Sequence, residues 1–596
     1  MRATRYFRLF KRYGGLPIIR EIQSTLNTDS TLLAVPREST QNTYKFMIED
    51  CVYAGENLPT RWSEEANDWG RITSGAGYAL AGIIANYYAS PIFNRADNAS
   101  RWTEAYELNK KALEKLAEGN FGLAYEGNPG INASNWAAIW CNMTSGNGLV
   151  SEAVYTEICN NVVEDHGLYN CWEQSIRPVN ANGGGGISPS AEEVDMFPMA
   201  DGKRPAEAGN FIYDKKLFFL NRDPRFYRTF AFPGEEWKYN GTVSADKVPT
   251  QCPYISGLNY QLMNFAWYPS ANDAKDPIQT GYFTDLLGTK GSSVYVRKKS
   301  QDYDLNSTPL YIFQNDGGFK LNGQPLVAIR YAEVLLNFAE AACGANHLDE
   351  AWNVLIRIRQ RVGYTGDCGL DPAIKGDRAR MFEAILYERR IELAYEGKRF
   401  DDCHRWMLFD GGVGQEQIYS GWTMSGWNGN TCAYLGVKPL NGTSLHKIEL
   451  HFDPALYTAA KSSTVKNPFD SLKIARPTAL TLKENMTTTQ TVDTDGNIQH
   501  TISDVNVKAL VTFYNKYLIR KDVVTMTNGT AHWSKNCYLM GLHTSDQSAN
   551  PKVVQTVGWI DAFGGTGVFD PLSDNPVTSI GDESAAAAVV QNHRKR

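Results

Sequence analysis

The sequence has no run of about 18 apolar residues, so no segment is long and apolar enough to cross a bilayer as a helix. It also has no basic stripe, since its 59 Lys and Arg are outnumbered by 65 Asp and Glu and the net charge is -6. Nucleic acid is therefore not an expected partner, because phosphate binding needs a dense positive surface. With 42% hydrophobic and 21% charged residues in a chain of 596, the composition is that of an ordinary globular protein.

The cysteines form no recognisable metal or redox motif. None of the ten makes a C-x-x-C pair, and no Cys/His spacing is typical of zinc sites. We therefore expect no metal and no cofactor. Cys51 and Cys343 fall on apolar helical faces, where a small buried thiol is expected. The disulfide state of the other cysteines stays open.

The chain also lacks a visible signal peptide. Residues 1–13 have the pattern of an amphipathic helix, and the glycines at 14 and 15 followed by Pro17 end it. A chain that opens inside a helix is expected to lack an N-terminal segment, which could have carried a secretion or lipidation signal. The sequence alone leaves open whether residue 1 is a genuine start.

Helical periodicity is concentrated in two parts of the chain. The spacing predicts three N-terminal helices, the first capped by Ser39 or Thr40, the second following Thr73 and the third ending before Gly119. Short loops between such helices favour antiparallel pairs stacked side by side. Periodicity returns in three further predicted helices, Val327–Ala342, Leu348–Val362 and Arg378–Glu396.

The remaining stretches are rich in Gly, Asn, Pro and aromatic residues, which predicts long functional loops with small strands. A modest strand or helix is expected near Val507–Ile519. The predicted organisation has five regions: helical residues 1–119, a loop-rich ligand face at 120–325, a helical core at 326–410, a loop-rich region at 411–563 and a weakly structured tail at 564–596.

A dense charge cluster lies on the last predicted helix. Arg389 falls on its apolar face, where a charge must be paired, and Glu388 and Glu392 are the nearest candidates. One hypothesis makes either glutamate a general acid that Arg389 tunes. We favour a buried ion-pair network that fixes helix register, because such pairs are more often architectural. Arg399 is assigned to the fold for the same reason, and no catalytic residue is predicted.

Three segments closely resemble the C-terminal helical core of the SusD/RagB family, in the family's order and spacing. They are AIRYAEVLLNFAEAA (328–342), LDEAWNVLIRIRQRVGY (348–364) and ILYERRIELAYEGKRFDDCHRW (385–406). Weaker matches extend the resemblance over most of residues 5–560: YGGLPII (13–19), residues 37–59, EEVDMFPMADG (192–202), NRDPRFYRTF (221–230) and NPKVVQTVGW (550–559). The family's lipoprotein signal is absent, and its closing motif is imperfect at Thr556 and Val557.

The resemblance implies a mainly α fold of stacked tetratricopeptide-like helix pairs, with long irregular loops and a few short strands. It further implies a non-catalytic, surface-exposed outer-membrane lipoprotein, anchored by a lipid group that this chain does not contain. Such a protein would bind oligosaccharide and deliver it to a SusC-like TonB-dependent transporter. The alternatives are a peptide-binding receptor of the same family, a helical glycoside hydrolase with two carboxylates across a cleft, and a scaffold for protein partners.

Ligand residues cannot be transferred from the family, so we predict them from local composition. Tyr and Trp rings suit the C–H faces of sugars when polar groups lie nearby. Each ring could instead pack a loop or a core. The predicted ligand residues are Trp267, Tyr268, Tyr282, Trp422, Trp427 and Asn428.

Overall fold

The computed structural model describes residues 1–24, 26, 34–141, 149–161, 169–178, 183–238, 259–263, 265, 292–301, 310–314, 318–414, 422–453, 474–524 and 529–578. Within these ranges the protein is mainly helical with a few short strands, as the sequence predicts. No helix in this part of the chain has the length and apolarity needed to cross a bilayer.

Nine helices carry the architecture described below. They are α1 (Arg2–Tyr13), α2 (Thr40–Asn57), α3 (Ser74–Ala89), α4 (Ala99–Glu118), α5 (Tyr331–Gly344), α6 (Leu348–Arg361), α7 (Arg378–Glu392), α8 (Arg399–Arg405) and α9 (Val505–Tyr517). Shorter helical turns are Glu65–Asp68, Ile131–Ala133, Ser134–Ala138, Leu149–Glu152, Trp172–Ile176, Ala191–Met196, Phe226–Thr229, Pro372–Gly376, Trp427–Gly429, Thr431–Leu435, Lys535–Tyr538 and Thr544–Ala549.

The strands form antiparallel pairs and no larger sheet within the described ranges. The pairs are β1–β8, β2–β5, β3–β4, β6–β7, β9–β12 and β10–β11. Their bounds are β1 (Ala153–Glu157), β2 (Phe230–Ala231), β3 (Glu236–Lys238), β4 (Asn259–Gln261), β5 (Tyr295–Val296), β6 (Tyr311–Gln314), β7 (Gly318–Asn322), β8 (Leu326–Arg330), β9 (His446–Phe452), β10 (Thr489–Val492), β11 (Ile498–Thr501) and β12 (Leu518–Val524).

The predicted N-terminal helices are confirmed, including their caps. Ser39 rather than Thr40 is the N-cap of α2, and its hydroxyl accepts a hydrogen bond from the Asn42 amide. Thr73 caps α3 in the same way. The small residues of α3 allow close helix packing: a Cβ on Gly82 would lie 2.3 Å from the Asn109 side chain of α4. That contact explains why glycine is needed there.

Two helix boundaries in the core differ from the sequence prediction. The predicted helix Val327–Ala342 begins only at Tyr331, because residues 326–330 pair with β1 as strand β8. The predicted helix Arg378–Glu396 ends at Glu392, since Tyr395 and Gly397 adopt positive φ angles of 58° and 78°. The predicted helix Leu348–Val362 is correct to within one residue, since α6 runs from Leu348 to Arg361.

Near Val507–Ile519 the sequence favours a strand or a helix, and the structure contains both. Helix α9 runs to Tyr517 and strand β12 begins at Leu518. Their apolar residues join a second core, which is rich in phenylalanine and separate from the core of the helical stack. Cys51 and Cys343 are buried in the helical core, as predicted.

The C-terminal segment up to residue 578 differs from the weakly structured tail expected from Gly564 onward. Phe569 is fully buried, and its backbone bonds to Gln555 and Val557. The Arg37 guanidinium lies 3.5 Å from the centre of the Phe569 ring. Arg37 is itself buried and donates to the carbonyls of residues 13, 15 and 554 and to the Thr556 hydroxyl. This one side chain therefore joins the end of α1 to the closing segment.

Candidate functional site

The charge cluster of α7 is the centre of a large ionic network buried in the protein. Glu392 accepts hydrogen bonds from Arg225 at 3.0 Å, Arg330 at 2.8 Å and Arg361, and from the Trp136 indole at 3.0 Å. We call the following set the buried ionic network: Glu152, Asp223, Arg225, Lys298, Arg330, Arg359, Arg361, Glu388, Glu392 and Glu396.

Two carboxylates of this network, Glu392 and Glu396, are held in the charged state. Burial opposes the charge on Glu392, but Arg361, Arg330 and Arg225 outweigh it and hold its pKa well below the ordinary value. Burial likewise opposes the charge on Glu396, but Arg330 and Lys298 outweigh it and lower its pKa to about 2. A carboxylate that stays ionised at all ordinary pH values is a poor general acid. The network is therefore architectural, as favoured from the sequence.

The predicted partners of Arg389 are wrong. Its guanidinium donates to the Asp402 carboxylate at 2.9 Å and to the Asn337 amide oxygen at 2.6 Å. Glu388 and Glu392 instead pair with arginines of other segments: Arg225 lies in a loop-rich segment, and Arg359 and Arg361 lie in α6. Burial would raise the pKa of Asp402, but Arg389 and Arg405 lower it to about 2.

Three of the predicted ligand residues, Trp267, Tyr268 and Tyr282, lie outside the described residues. They stay predictions.

The structure places Trp422 and Trp427 in the helical core rather than on a surface. Both are at most 2% exposed, and their indole N–H groups donate to Asp570 and to the Asn94 carbonyl. In this arrangement neither ring offers a face to a sugar, so we do not retain these two residues in the proposed site. Asn428 beside them is exposed and adopts a left-handed φ of 52°.

A different pair of tryptophans lines a shallow cleft formed by the segment that connects α2 to α3 and by residues 150–156. Trp62 and Trp69 are half-buried, and Phe121 from the loop after α4 forms part of the same cleft. We call it the Trp62–Trp69 cleft. Its polar groups are Arg61, Asp68, Arg71, Thr73 and Thr156, and its other lining residues are Gly70, Val150, Ala153 and Val154.

Neighbouring groups hold Trp62 in place. Its indole N–H donates to the Ile72 carbonyl at 3.0 Å, and the Arg71 guanidinium lies 3.9 Å from the ring centre. Asp68 in turn holds Arg71 through a hydrogen bond of 2.7 Å. A ring fixed in this way loses little side-chain entropy when a ligand stacks on it.

Trp69 is oriented by a tight turn at its C-terminal side. Gly70 has a φ of 84°, and a Cβ at that position would lie 2.9 Å from the Ile158 side chain. The body of Trp69 packs on the small core formed by residues such as Trp136 and Val362. The cleft thus combines aromatic surface with carboxylate, guanidinium and hydroxyl groups, which is the chemistry that sugars require.

Sequence reasoning missed this cleft. The signal was present in RWSEEANDWGR (61–71), a short polar segment with two tryptophans between two predicted helices. Within the described ranges, no group of three His, Cys, Asp or Glu side chains is placed to hold a metal ion.

Comparison with solved structures shows the same fold in SusD-like proteins. A SusD-like protein from Bacteroides fragilis NCTC 9343 has 20% identity and a TM-score of 0.54, covering 93% of this chain and 77% of its own. A SusD-like carbohydrate binding protein from the same organism has 18% identity and a TM-score of 0.51, with coverages of 92% and 77%.

No curated protein matches this sequence. The family model of the SusD family matches residues 160–559, which is more than half of the chain. That span contains the segments at 328–342, 348–364 and 385–406 and most of the buried ionic network. The chain belongs to the SusD family.

Proposed function

We propose that this protein binds oligosaccharide at the bacterial outer surface, makes and breaks no bond in it, and passes it to a SusC-like TonB-dependent transporter. Attachment to the outer membrane would use a lipid anchor. The observation that carries the proposal is the Trp62–Trp69 cleft, where fixed aromatic rings lie beside groups that can bond to hydroxyls. The fold is shared with a SusD-like carbohydrate binding protein from Bacteroides fragilis NCTC 9343, which supports the same class of ligand.

The cleft chemistry favours binding over hydrolysis. A glycosidase needs two carboxyl groups about 5 to 9.5 Å apart on either side of the bond. Among the described lining residues, Asp68 is the single carboxylate, and its partner is Arg71. A single carboxylate does not supply the pair of carboxyl groups that hydrolysis requires.

The predicted residues Trp267, Tyr268 and Tyr282 stay part of the proposal as further ligand contacts. The same binding experiment tests their contribution to affinity. Each would be replaced by alanine alongside the cleft residues.

Calorimetry with a panel of plant, host and microbial oligosaccharides tests the proposal. We expect saturable binding without product formation, weakened roughly three- to tenfold by Trp69→Ala or Trp62→Ala, since an aromatic contact contributes about 0.5–1.5 kcal/mol beyond area burial. Tyr53→Ala is the matched control, because Tyr53 is an exposed aromatic residue of α2 outside the cleft.

Three results would contradict the proposal. Reducing ends released from any glycan would favour the hydrolase. Binding of peptides but of no glycan would favour the peptide receptor. Glycan binding that Trp62→Ala and Trp69→Ala leave unchanged would remove the cleft from the site.

A further inference from the structure

A second concave surface follows one face of α7. It consists of two adjoining cavities of about 460 and 210 Å³, which share Glu383 and Leu435. One wall is the loop at residues 202–207, and the opposite wall is the segment from Leu435 to Leu440. We call this surface the α7 groove. None of its lining residues touches the Trp62–Trp69 cleft.

The charges along the α7 groove are unbalanced. Seven basic residues line it, against three acidic ones. The acidic residues already form ion pairs within the groove. Arg204 pairs with Glu383 at 2.5 Å and with Glu207 at 3.6 Å. Arg380 pairs with Asp371 at 2.8 Å. Two further arginines are neutralised from outside the lining, Arg359 by Glu388 and Arg390 by Glu193.

Three cations of the groove are left without an ion pair to any residue that the structure describes: Lys203, Arg399 and Lys438. Lys438 is exposed, and the other two are half-buried. The backbone under Lys203 is fixed, because its amide donates to Asp201 at 3.1 Å and its carbonyl accepts from Met199 at 2.8 Å. Arg399, assigned to the fold from the sequence, therefore also contributes charge to this surface.

We infer that the α7 groove binds an acidic oligosaccharide, one that carries carboxylate or sulfate groups; this inference rests on the proposed glycan-binding function. In a protein of net charge -6, a surface with three unpaired cations selects an anionic ligand. Charge rather than stacking is the means of recognition here. The single aromatic ring among the described lining residues, Tyr387, is 8% exposed and is covered by Arg204 at 4.1 Å.

A peptide is a poorer match to the groove. Extended peptides gain affinity by adding a strand to an exposed sheet edge. The described lining residues come from helices, turns and loops, and none belongs to a strand. The groove therefore offers spaced positive charges, which suit the repeating anionic groups of an acidic glycan, and no strand edge to which a peptide could pair.

Calorimetry on the full chain compares an oligogalacturonate, a chondroitin sulfate hexasaccharide, a neutral gluco-oligosaccharide and hexaglutamate at low salt. We expect at least one acidic glycan to bind, and to bind more weakly in 0.5 M NaCl, because salt screens exposed charges. The double variant Lys203→Gln/Lys438→Gln should weaken this binding about 1.5- to fivefold per lysine. The control Lys45→Gln/Lys508→Gln makes the same charge change at exposed lysines of α2 and α9, and we expect no effect on affinity.

The outcomes separate this inference from the proposed function. If a neutral glycan binds in a manner sensitive to Trp69→Ala while no acidic glycan responds to the lysine variants, the proposed function stands and the α7 groove is not a glycan site. If no glycan of either class binds, the proposed function fails and the inference fails with it. If hexaglutamate binds as tightly as the acidic glycans and depends equally on Lys203 and Lys438, the ligand class is wrong. Unchanged circular dichroism and melting temperature of each variant show that it is folded.

Discussion

Replacing Glu392 by glutamine removes a negative charge from the centre of the buried ionic network with almost no change in shape. The Oε1 atom accepts from Arg330, Arg361 and Trp136, while Oε2 accepts from Arg225 at 3.0 Å. The amide oxygen would therefore take the Oε1 position, and the new NH₂ group would face Arg225. Two donors would then oppose each other at a fully buried position.

The expected cost of Glu392→Gln is about 3 kcal/mol in the free energy of unfolding. Removing one partner of a buried ion pair costs about 3–5 kcal/mol, because the remaining charge is left uncompensated. Here the lower end applies, since each arginine keeps another carboxylate: Arg225 keeps Asp223, and Arg330 and Arg361 keep Glu152.

Urea unfolding followed by tryptophan fluorescence measures this cost. Glu126→Gln is the matched control: Glu126 forms a two-hydrogen-bond pair with Arg357, but both side chains are about 40% exposed. We expect less than about 1 kcal/mol for the control. If Glu392→Gln and Glu126→Gln unfold at the same urea concentration with equal m-values, the buried ionic network stabilises the fold no more than an exposed ion pair does.

The pH dependence gives a second test of the same reasoning. The pKa of Glu392 is depressed in the folded protein, so its contribution to stability is present above the ordinary glutamate pKa of 4.5 and is lost as the pH falls below it. The difference in unfolding free energy between wild type and Glu392→Gln should therefore shrink between about pH 4.5 and lower values. A difference that stays constant over this range would contradict the charge-based explanation.

Two other substitutions test single buried groups. Arg37→Lys should cost about 2–4 kcal/mol in urea unfolding, because an ammonium cannot reach all four acceptors of Arg37 or stack on the ring beneath it; a cost below 1 kcal/mol would contradict its role as the link between the two termini. Burial lowers the pKa of His404 to about 4, with Arg12 adding to the shift and Asp401 opposing it. Because the unfolded pKa is about 6.5, wild type should lose about 1.4 kcal/mol per pH unit from this residue as the pH falls from about 6 to 4. In His404→Gln this part of the pH dependence should be absent. If the free energy of unfolding falls with pH equally steeply in wild type and variant, His404 is not its source.

The sequence predicted most of the helices because their apolar periodicity, caps and stop signals agree. The prediction from sequence failed where a strand and a helix share one continuous apolar segment. Val327, Ala328 and Ile329 continue the pattern of α5 without a break, yet pairing with β1 makes them a strand. Such pairing depends on a segment more than 160 residues earlier, which periodicity cannot show.

The same limit explains the ligand residues. Composition identified tryptophans in polar, Gly/Asn-rich segments, but composition does not say which side of a ring is covered. Trp427 lies in such a segment and is nevertheless enclosed by Trp102 of α4, Phe382 of α7 and Trp406, which follows α8. Trp62 and Trp69 lie in an equally polar segment and stay half-buried, because both rings line the open Trp62–Trp69 cleft.

The buried ionic network also explains how a helical stack can carry long loops in defined positions. Its carboxylates Glu388, Glu392 and Glu396 extend from the end of α7, while Arg225 and Lys298 belong to loop-rich segments. Each loop segment is therefore joined to the helices by directional, desolvated ion pairs, which tolerate a shift in register far less than apolar contacts do. The stretches between these ion-paired residues can vary in length and composition without displacing the helices.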